Sequence, residues 1–160
     1  MTEWVARPVE EARLLNPAFL AALIAAAAAD FERTSGEAMP WIFSFLVPPL
    51  VLPARSRESL PGNIQAHLSS WIQSHPEVRV GFPGRVKLLV PLVREALRFG
   101  LRSGVLTIDG RGLRGTIRLG IGNRRTSEVA ECFRAARFIG RWFGRRHDVK
   151  TIYALLGVTP

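Results

Sequence analysis

Eight arginines in the second half of the sequence have the types and spacing that point most clearly to binding chemistry. One trio recurs at steps of four and another at steps of three and four, so each trio lies on one face of a predicted helix. Two more flank a glycine-rich turn. The eight are Arg94, Arg98, Arg102, Arg111, Arg114, Arg134, Arg137 and Arg141. A guanidinium presents a planar set of donors that fits phosphates and carboxylates. We therefore expect contacts with non-specific DNA or an acidic partner protein, the alternative being a merely solvated surface.

The positive charge is concentrated in the same half of the chain. Residues 1–84 hold 6 Lys and Arg against 8 Asp and Glu, whereas residues 85–160 hold 16 against 5. The formal net charge of the whole chain is +9. This asymmetry indicates a polyanionic partner, either nucleic acid or an acidic protein surface.

No familiar pattern of catalytic or metal-binding residues is complete. The histidines at 67, 75 and 147 lack the spacing of metal ligands, and Cys132 is the sole cysteine. No two carboxylates are paired as hydrolysis of a glycoside would need. Residues 110–115 spell GxGxxG, but they lie in a predicted hairpin rather than before a helix. We expect a protein that is not an enzyme and has no cofactor or metal.

The basic residues are positioned by a predicted helix and hairpin within residues 84–119. Lys87 precedes the first arginine trio on a cationic stripe, and a separate apolar stripe marks the inner face. That apolar stripe comprises Val86, Leu89, Val90, Val93, Leu97 and Leu101. Gly104 ends the helix, residues 105–108 form a strand, Asp109-Gly110 makes the turn, and residues 113–119 return. A helix followed by a hairpin is the second half of a winged helix-turn-helix.

Further helices are expected to pack around this unit. Residues 17–34 form an alanine-rich helix, capped by Asn16, which we interpret as the central packing helix. A short amphipathic helix with Ile64, Leu68, Trp71 and Ile72 on its apolar face ends at His75-Pro76 and is separated by a turn from the helix beginning at Gly84. Residues 54–60 are a polar connection. A long helix follows a cap at Thr126 or Ser127, and residues 149–156 close the chain. The predicted architecture is a mainly α, winged-helix-like single domain (16–160) with a small β-hairpin, N- and C-terminal packing helices and a leader (1–15).

Two groups of apolar residues are candidates for docking a partner. The run from Trp41 to Leu52 is either core or a docking surface, and a pair of aromatic residues near the end of the last long helix looks exposed. The candidate docking residues are Trp41, Phe43, Phe45, Trp142 and Phe143. No apolar run reaches the roughly 20 residues that a membrane-spanning helix needs. We expect a cytoplasmic protein with no membrane partner.

Six short stretches carry a resemblance to a known family. They are Asn16-Pro17, FLVPPLVLP (45–53), RESLP (57–61), REALRFGLRSGVL (94–106), FIGRWF (138–143) and TIYALLGVTP (151–160). In their order and spacing they resemble the middle component of bacterial three-component ABC systems, which are associated with defence against phages and plasmids. The resemblance implies a non-catalytic subunit between an ATPase similar to SMC and Rad50 proteins and an effector subunit. It supplies no functional residues.

Two functional hypotheses follow. The first is an adaptor of such an SMC-like defence complex, bridging the ATPase and the effector. The second is a stand-alone winged-helix DNA-binding regulator. Genes for an ATPase and an effector on either side of this one would favour the adaptor.

Overall fold

The computed structural model describes residues 15–117, 127–145 and 148–160. The predicted leader (1–15, except Leu15), the basic loop at 120–125, the end of the return strand (118–119), Thr126 and His147 lie outside these residues. The described elements are α1 (Pro17–Ser35), β1 (Met39–Pro40), a 3-10 helix (Trp41–Phe45), α2 (Val47–Val51), α3 (Ala54–Ser59), α4 (Leu68–Ser74), α5 (Pro76–Ser103), β2 (Leu106–Asp109), β3 (Gly112–Gly115), α6 (Glu128–Arg145) and α7 (Val149–Leu156). The predicted class, mainly α with a small β-hairpin, is confirmed.

Helix α1 is the central element, as its sequence predicts. It begins where the Asn16 side chain accepts a hydrogen bond from the Ala18 amide at 2.8 Å, with Pro17 at the first helical position. It ends at Gly36, which adopts the left-handed conformation (φ +79°) that glycine tolerates best. Its buried side chains include Leu20, Leu23, Ile24, Ala27 and Phe31. These side chains pack against α5, α6 and β3.

Two glycines let neighbouring elements approach the backbone of α1. A Cβ at Gly140 of α6 would overlap the carbonyl oxygen of Ala27, and one at Gly115 of β3 would overlap that of Ala25. The alanine-rich sequence of α1 contributes from the other side because Ala side chains are short. Helix α6 and the sheet therefore pack closer to α1 than any larger residue would permit.

Helix α5 is longer than the sequence predicts. It begins at Pro76 rather than Gly84, and His75 alone joins it to α4. The expected turn between the two helices is therefore wrong. Pro83 and Pro91 both lie inside α5, where each lacks an amide donor. In a helix the amide of residue 91 would bond the carbonyl of Lys87, and proline has no amide hydrogen. Because Pro91 and Lys87 are both exposed, water can hydrogen-bond that carbonyl instead.

The inner face of α5 differs in part from the predicted stripe. Its buried residues are Val78, Phe82, Val86, Val93, Ala96 and Gly100, while Leu89, Val90 and Leu97 are half-buried. Leu101, expected on this face, is exposed. A Cβ at Gly100 would lie 2.6 Å from the Leu106 side chain, so the missing side chain makes room for β2. The buried face of α5 therefore passes through Gly100 rather than Leu101 where the helix meets the sheet.

The predicted hairpin forms, and a third strand joins it. Ile108 pairs with Leu113, and Gly110 has the positive φ (+61°) that the first central residue of a type II′ turn requires. Strand β1, which the sequence did not predict, lies on the other side of β3, where Met39 pairs with Leu113. The strand order β1-β3-β2 is compatible with a winged helix, which remains a prediction.

The segment expected to be a polar connection is instead α3, held by a buried arginine. Arg57 donates hydrogen bonds to the carbonyls of Val51 (2.9 Å) and Leu52 (3.0 Å), the last residue and the C-cap of α2. The same guanidinium lies 3.4 Å from Glu128 and 3.5 Å from Glu131 on α6. One side chain therefore joins α2, α3 and α6.

The C-terminal elements agree with the sequence. Ser127 precedes α6 and accepts a hydrogen bond from the Ala130 amide at 3.2 Å. Asp148 caps α7, whose bounds match the prediction, and Gly157 ends it in the left-handed conformation. The Tyr153 hydroxyl donates a 2.5 Å hydrogen bond to the Ile42 carbonyl, which ties α7 to the 3-10 helix. Within the described residues, none of the helices has the length and hydropathy needed to cross a membrane.

The overlap at Gly140 predicts a large difference between two helical Gly→Ala substitutions. Gly140→Ala should lower the free energy of unfolding by about 1–3 kcal/mol, because α6 must move away from Ala27. Gly84→Ala is the matched control, since a Cβ there meets nothing within 4 Å. That change should be neutral or stabilising by up to about 1 kcal/mol. Denaturant unfolding followed by circular dichroism would measure both, and equal effects would contradict the close approach.

Candidate functional site

Two of the eight candidate arginines form ion pairs with acidic residues of α1. Arg114, on β3, pairs with Glu32 and also with Asp109, whose Oδ2 lies 2.7 Å away. These carboxylates raise the pKa of the Arg114 guanidinium, chiefly through the hydrogen bond to Asp109. Arg141, on α6, lies 2.6 Å from Asp30. Both guanidiniums are therefore paired within the chain, so their predicted contacts with DNA or an acidic partner would have to compete with these ion pairs.

Asp30 is the buried member of this arrangement. Only 4% of its side chain is exposed, and its second oxygen lies 2.7 Å from the Arg33 guanidinium. The burial of a carboxylate is costly unless charges or hydrogen bonds compensate it. Arg141 and Arg33 supply that compensation, so Arg141 fixes α6 to α1 electrostatically where Gly140 already brings the two helices together.

The second trio therefore does not form one free basic face. Arg134 is exposed and Arg137 half-buried, while Arg141 is paired with Asp30. Arg134 also lines a groove of about 460 Å³ between α6 and the end of α3. The other lining residues are Arg57, Glu58, Leu60, Pro61, Gly62, Glu131, Ala135 and Phe138. This groove is mixed in charge, with apolar walls.

The first trio, in contrast, is free. Arg94, Arg98 and Arg102 are exposed on successive turns of α5, and Lys87 is exposed two turns before Arg94. None of the four forms an ion pair with any residue that the structure describes. Their charges are consequently available to an anion outside the chain. Arg111 is likewise exposed, at the tip of the hairpin.

Exposed apolar side chains lie next to these cations. Leu88 is 77% exposed and Phe99 42%. They are 11 residues apart, which is close to three helical turns, so they lie on nearly the same side of α5. We define the outer face of α5 as Lys87, Leu88, Arg94, Arg98, Phe99 and Arg102. Sequence reasoning identified its cations but not its apolar members, since Leu88 and Phe99 lie outside the apolar stripe.

A cavity adjoins this outer face where α5 passes the start of α1. Its volume is about 370 Å³, and it is lined by Pro17, Glu95, Phe99, Arg102 and Ser103. An apolar side chain inserted here would contact Phe99, and the lining residues Glu95 and Arg102 carry opposite charges. The surface is therefore suited to an amphipathic partner.

Three of the five predicted docking residues are in the core, so the exposure expected of Trp142 and Phe143 is wrong and the run that contains Phe43 is core at that position. The Phe43 ring lies 5.1 Å from that of Phe143, and both side chains are buried. The Trp142 indole donates a 2.7 Å hydrogen bond to the Ala66 carbonyl and lies edge-on to Trp71 at 5.5 Å. Their docking role thus loses the exposed surface on which it depended. Trp41 is 46% exposed, and Phe45 is half-buried.

The titratable groups in the interior are structural. Burial is the main cause that raises the pKa of the Cys132 thiol, with Arg57 opposing it. Burial also raises the pKa of Tyr153, whose hydroxyl holds Ile42. No group of three or more His, Cys, Asp or Glu side chains that could hold a metal ion occurs among residues 15–117, 127–145 and 148–160.

Comparison with known families places the chain in a multi-subunit system. A family model described as ABC-three component (ABC-3C) system Middle Component 3 matches residues 4–160. The chain belongs to this family. Membership supports an adaptor role within an ABC-3C system and implies that the chain has partners there. No curated protein and no solved structure matches the chain.

The functional-site residues that the sequence did not identify are the two acidic residues of this middle component that pair with Arg141 and Arg114. Asp30 and Glu32 lie within α1, and Asp30 is buried near the C-terminal end of its apolar face. An acidic residue at an otherwise apolar helical position needs a compensating charge, and that is the signal that could have found it. Its partner Arg141 is 111 residues away, so nothing local identifies the pair.

The Asp30–Arg141 contact predicts that substitution of Arg141 destabilises this middle component more than substitution of the exposed Arg145 on the same helix. Arg141→Met should lower the free energy of unfolding by about 1–3 kcal/mol, because Asp30 stays buried with one of its two compensating charges removed. Arg145→Met, on the exposed last turn of the same helix, should change it by less than about 0.5 kcal/mol. Denaturant unfolding measures both. If Asp30→Asn does not reduce the cost of Arg141→Met, the ion pair is not its cause.

Proposed function

We propose that this middle component is a non-catalytic adaptor that bridges the ATPase and effector subunits of its ABC-3C system. The observation that carries the proposal is the outer face of α5, where unpaired cations and exposed apolar side chains lie together. The unpaired cations can bind an anionic partner, and the exposed apolar side chains would gain free energy if a partner covered them. Family membership supplies the context, because a middle component works beside other subunits.

The mixed-charge groove between α3 and α6 supports bridging, as distinct from binding a single partner. It shares no residue with the outer face of α5, and different helices form the two features. Helix α1 contacts both α5 and α6. Two partners held by these features would consequently be joined through one packed core.

The adaptor's biological setting follows from the resemblance seen in the sequence. We propose that the assembled complex acts in the cytoplasm against phages or plasmids, with the effector carrying out the chemistry. Contact with DNA is a second candidate role for Arg94, Arg98, Arg102 and Arg111, and the strand order β1-β3-β2 is compatible with the winged helix that such a role would use. The same features keep the stand-alone DNA-binding regulator as the alternative.

Co-expression of the middle component with its own ATPase and effector is the test of bridging. We expect all three chains to elute together in size-exclusion chromatography, because each of the two partners has a surface to bind. Omission of the middle component should separate the ATPase from the effector.

Two outcomes would contradict the adaptor. The first is an ATPase and effector that elute together equally well without the middle component. The second is a middle component that elutes as a monomer whichever partner is present. If that monomer binds duplex DNA with an affinity that falls steeply with salt, the regulator is supported instead.

A further inference from the structure

The arrangement of charge on the outer face of α5 identifies the kind of partner that it fits. Lys87, Arg94, Arg98 and Arg102 extend over four turns, about 22 Å at 1.5 Å per residue. Three of the four are arginines, which bind carboxylates in a fixed two-pronged geometry. The ligand that this row complements is an equally extended row of anions.

Apolar side chains beside the row distinguish a protein from a nucleic acid. At about 100° per residue, Leu88 and Phe99 lie roughly a quarter turn around α5 from Arg98. A sugar-phosphate backbone has little apolar surface to cover them, whereas an amphipathic helix carries an apolar row next to a polar one. The cationic and apolar rows of α5 are adjacent in the same way, and Glu95 lies between them at about 60° from Arg98.

The cavity at Phe99 supplies a position for one anchoring side chain. It opens between α5 and Pro17 at the start of α1, beside the apolar row. Partner residues that bury apolar side chains in such recesses dominate the affinity of helix-in-groove complexes. An aliphatic or aromatic side chain in the partner's apolar row is expected to occupy it.

We infer that the outer face of α5 docks an acidic amphipathic helix of a partner protein. The acidic row of that helix faces Arg94, Arg98 and Arg102, and its apolar row covers Leu88 and Phe99. The inference rests on the proposed adaptor function, and it assigns one of the adaptor's contacts to a defined surface and a defined chemistry.

A synthetic peptide tests this inference directly on the full chain. The probe is a labelled amphipathic peptide of about 20 residues, long enough to form a helix, with leucines on one face and glutamates beside them. A second peptide replaces every glutamate with lysine, and a duplex DNA serves as the third probe. Fluorescence anisotropy should show binding of the acidic peptide, no binding of the basic peptide, and weaker binding of DNA than of the acidic peptide.

Variants of the outer face separate specific docking from general charge attraction. Arg94→Glu with Arg98→Glu should weaken binding of the acidic peptide at least about tenfold. Arg55→Glu with Arg145→Glu changes the net charge equally at exposed positions on α3 and α6, and it should leave binding within about twofold. Leu88→Ser with Phe99→Ser should also weaken binding about tenfold, since it removes the apolar contacts.

Each alternative result overturns the inference. If both charge-reversal pairs weakened peptide binding equally, the binding would depend on the net charge of the chain and not on the outer face of α5. If Leu88→Ser with Phe99→Ser left the affinity for the acidic peptide unchanged, the partner would not be an amphipathic helix. If DNA bound more tightly than the acidic peptide, the outer face of α5 would be a nucleic-acid-binding surface. Unchanged circular dichroism must accompany every loss. If the three-subunit complex still forms while the peptide results fail, the adaptor stands and this assignment of its surface is wrong.

Discussion

The structure depends on how closely α6 and the sheet approach the backbone of α1. Gly140 and Gly115 make that approach sterically allowed, and buried apolar side chains along α1 fill the space on either side. Because the interior is this tightly packed, the elements around α1 have little freedom to rearrange. Helix α5 packs one face against this core and leaves the other exposed. Because its inner face is held in the core, we expect the outer face of α5 to be rigid as well.

The ion pairs divide the arginines into two groups with different consequences. Arg114 and Arg141 compensate acidic residues of α1, so they contribute to the arrangement of the core. Arg94, Arg98 and Arg102 have no such partner within the described chain, and their charge is available outside it. A binding surface on a rigid element loses little conformational entropy when a partner docks. This combination is what an adaptor requires.

Features decided by neighbouring residues were predictable from the sequence, and features decided by distant ones were not. Asn16, Gly36 and Gly104 mark helix ends through local backbone geometry, so α1 and the end of α5 were predicted well. Strand β1 has only two residues, and its pairing with Leu113 gives no local signal. The exposure of Trp142 was misjudged because Trp71 and Ala66, which cover it, are far away in sequence. The cations of the outer face were predicted, but their freedom from internal pairing was not.

Amide hydrogen exchange on the middle component, alone and in its three-subunit complex, would show whether α1 is the centre of the packing and α5 a docking surface. We expect α1 to exchange most slowly in both states, since its amides lie at the centre of the packing. We also expect the slowing on assembly to include residues 87–102 of α5. The contrary result is an α1 that exchanges as fast as α7, or a complex in which residues 87–102 exchange at the rate seen in the isolated chain.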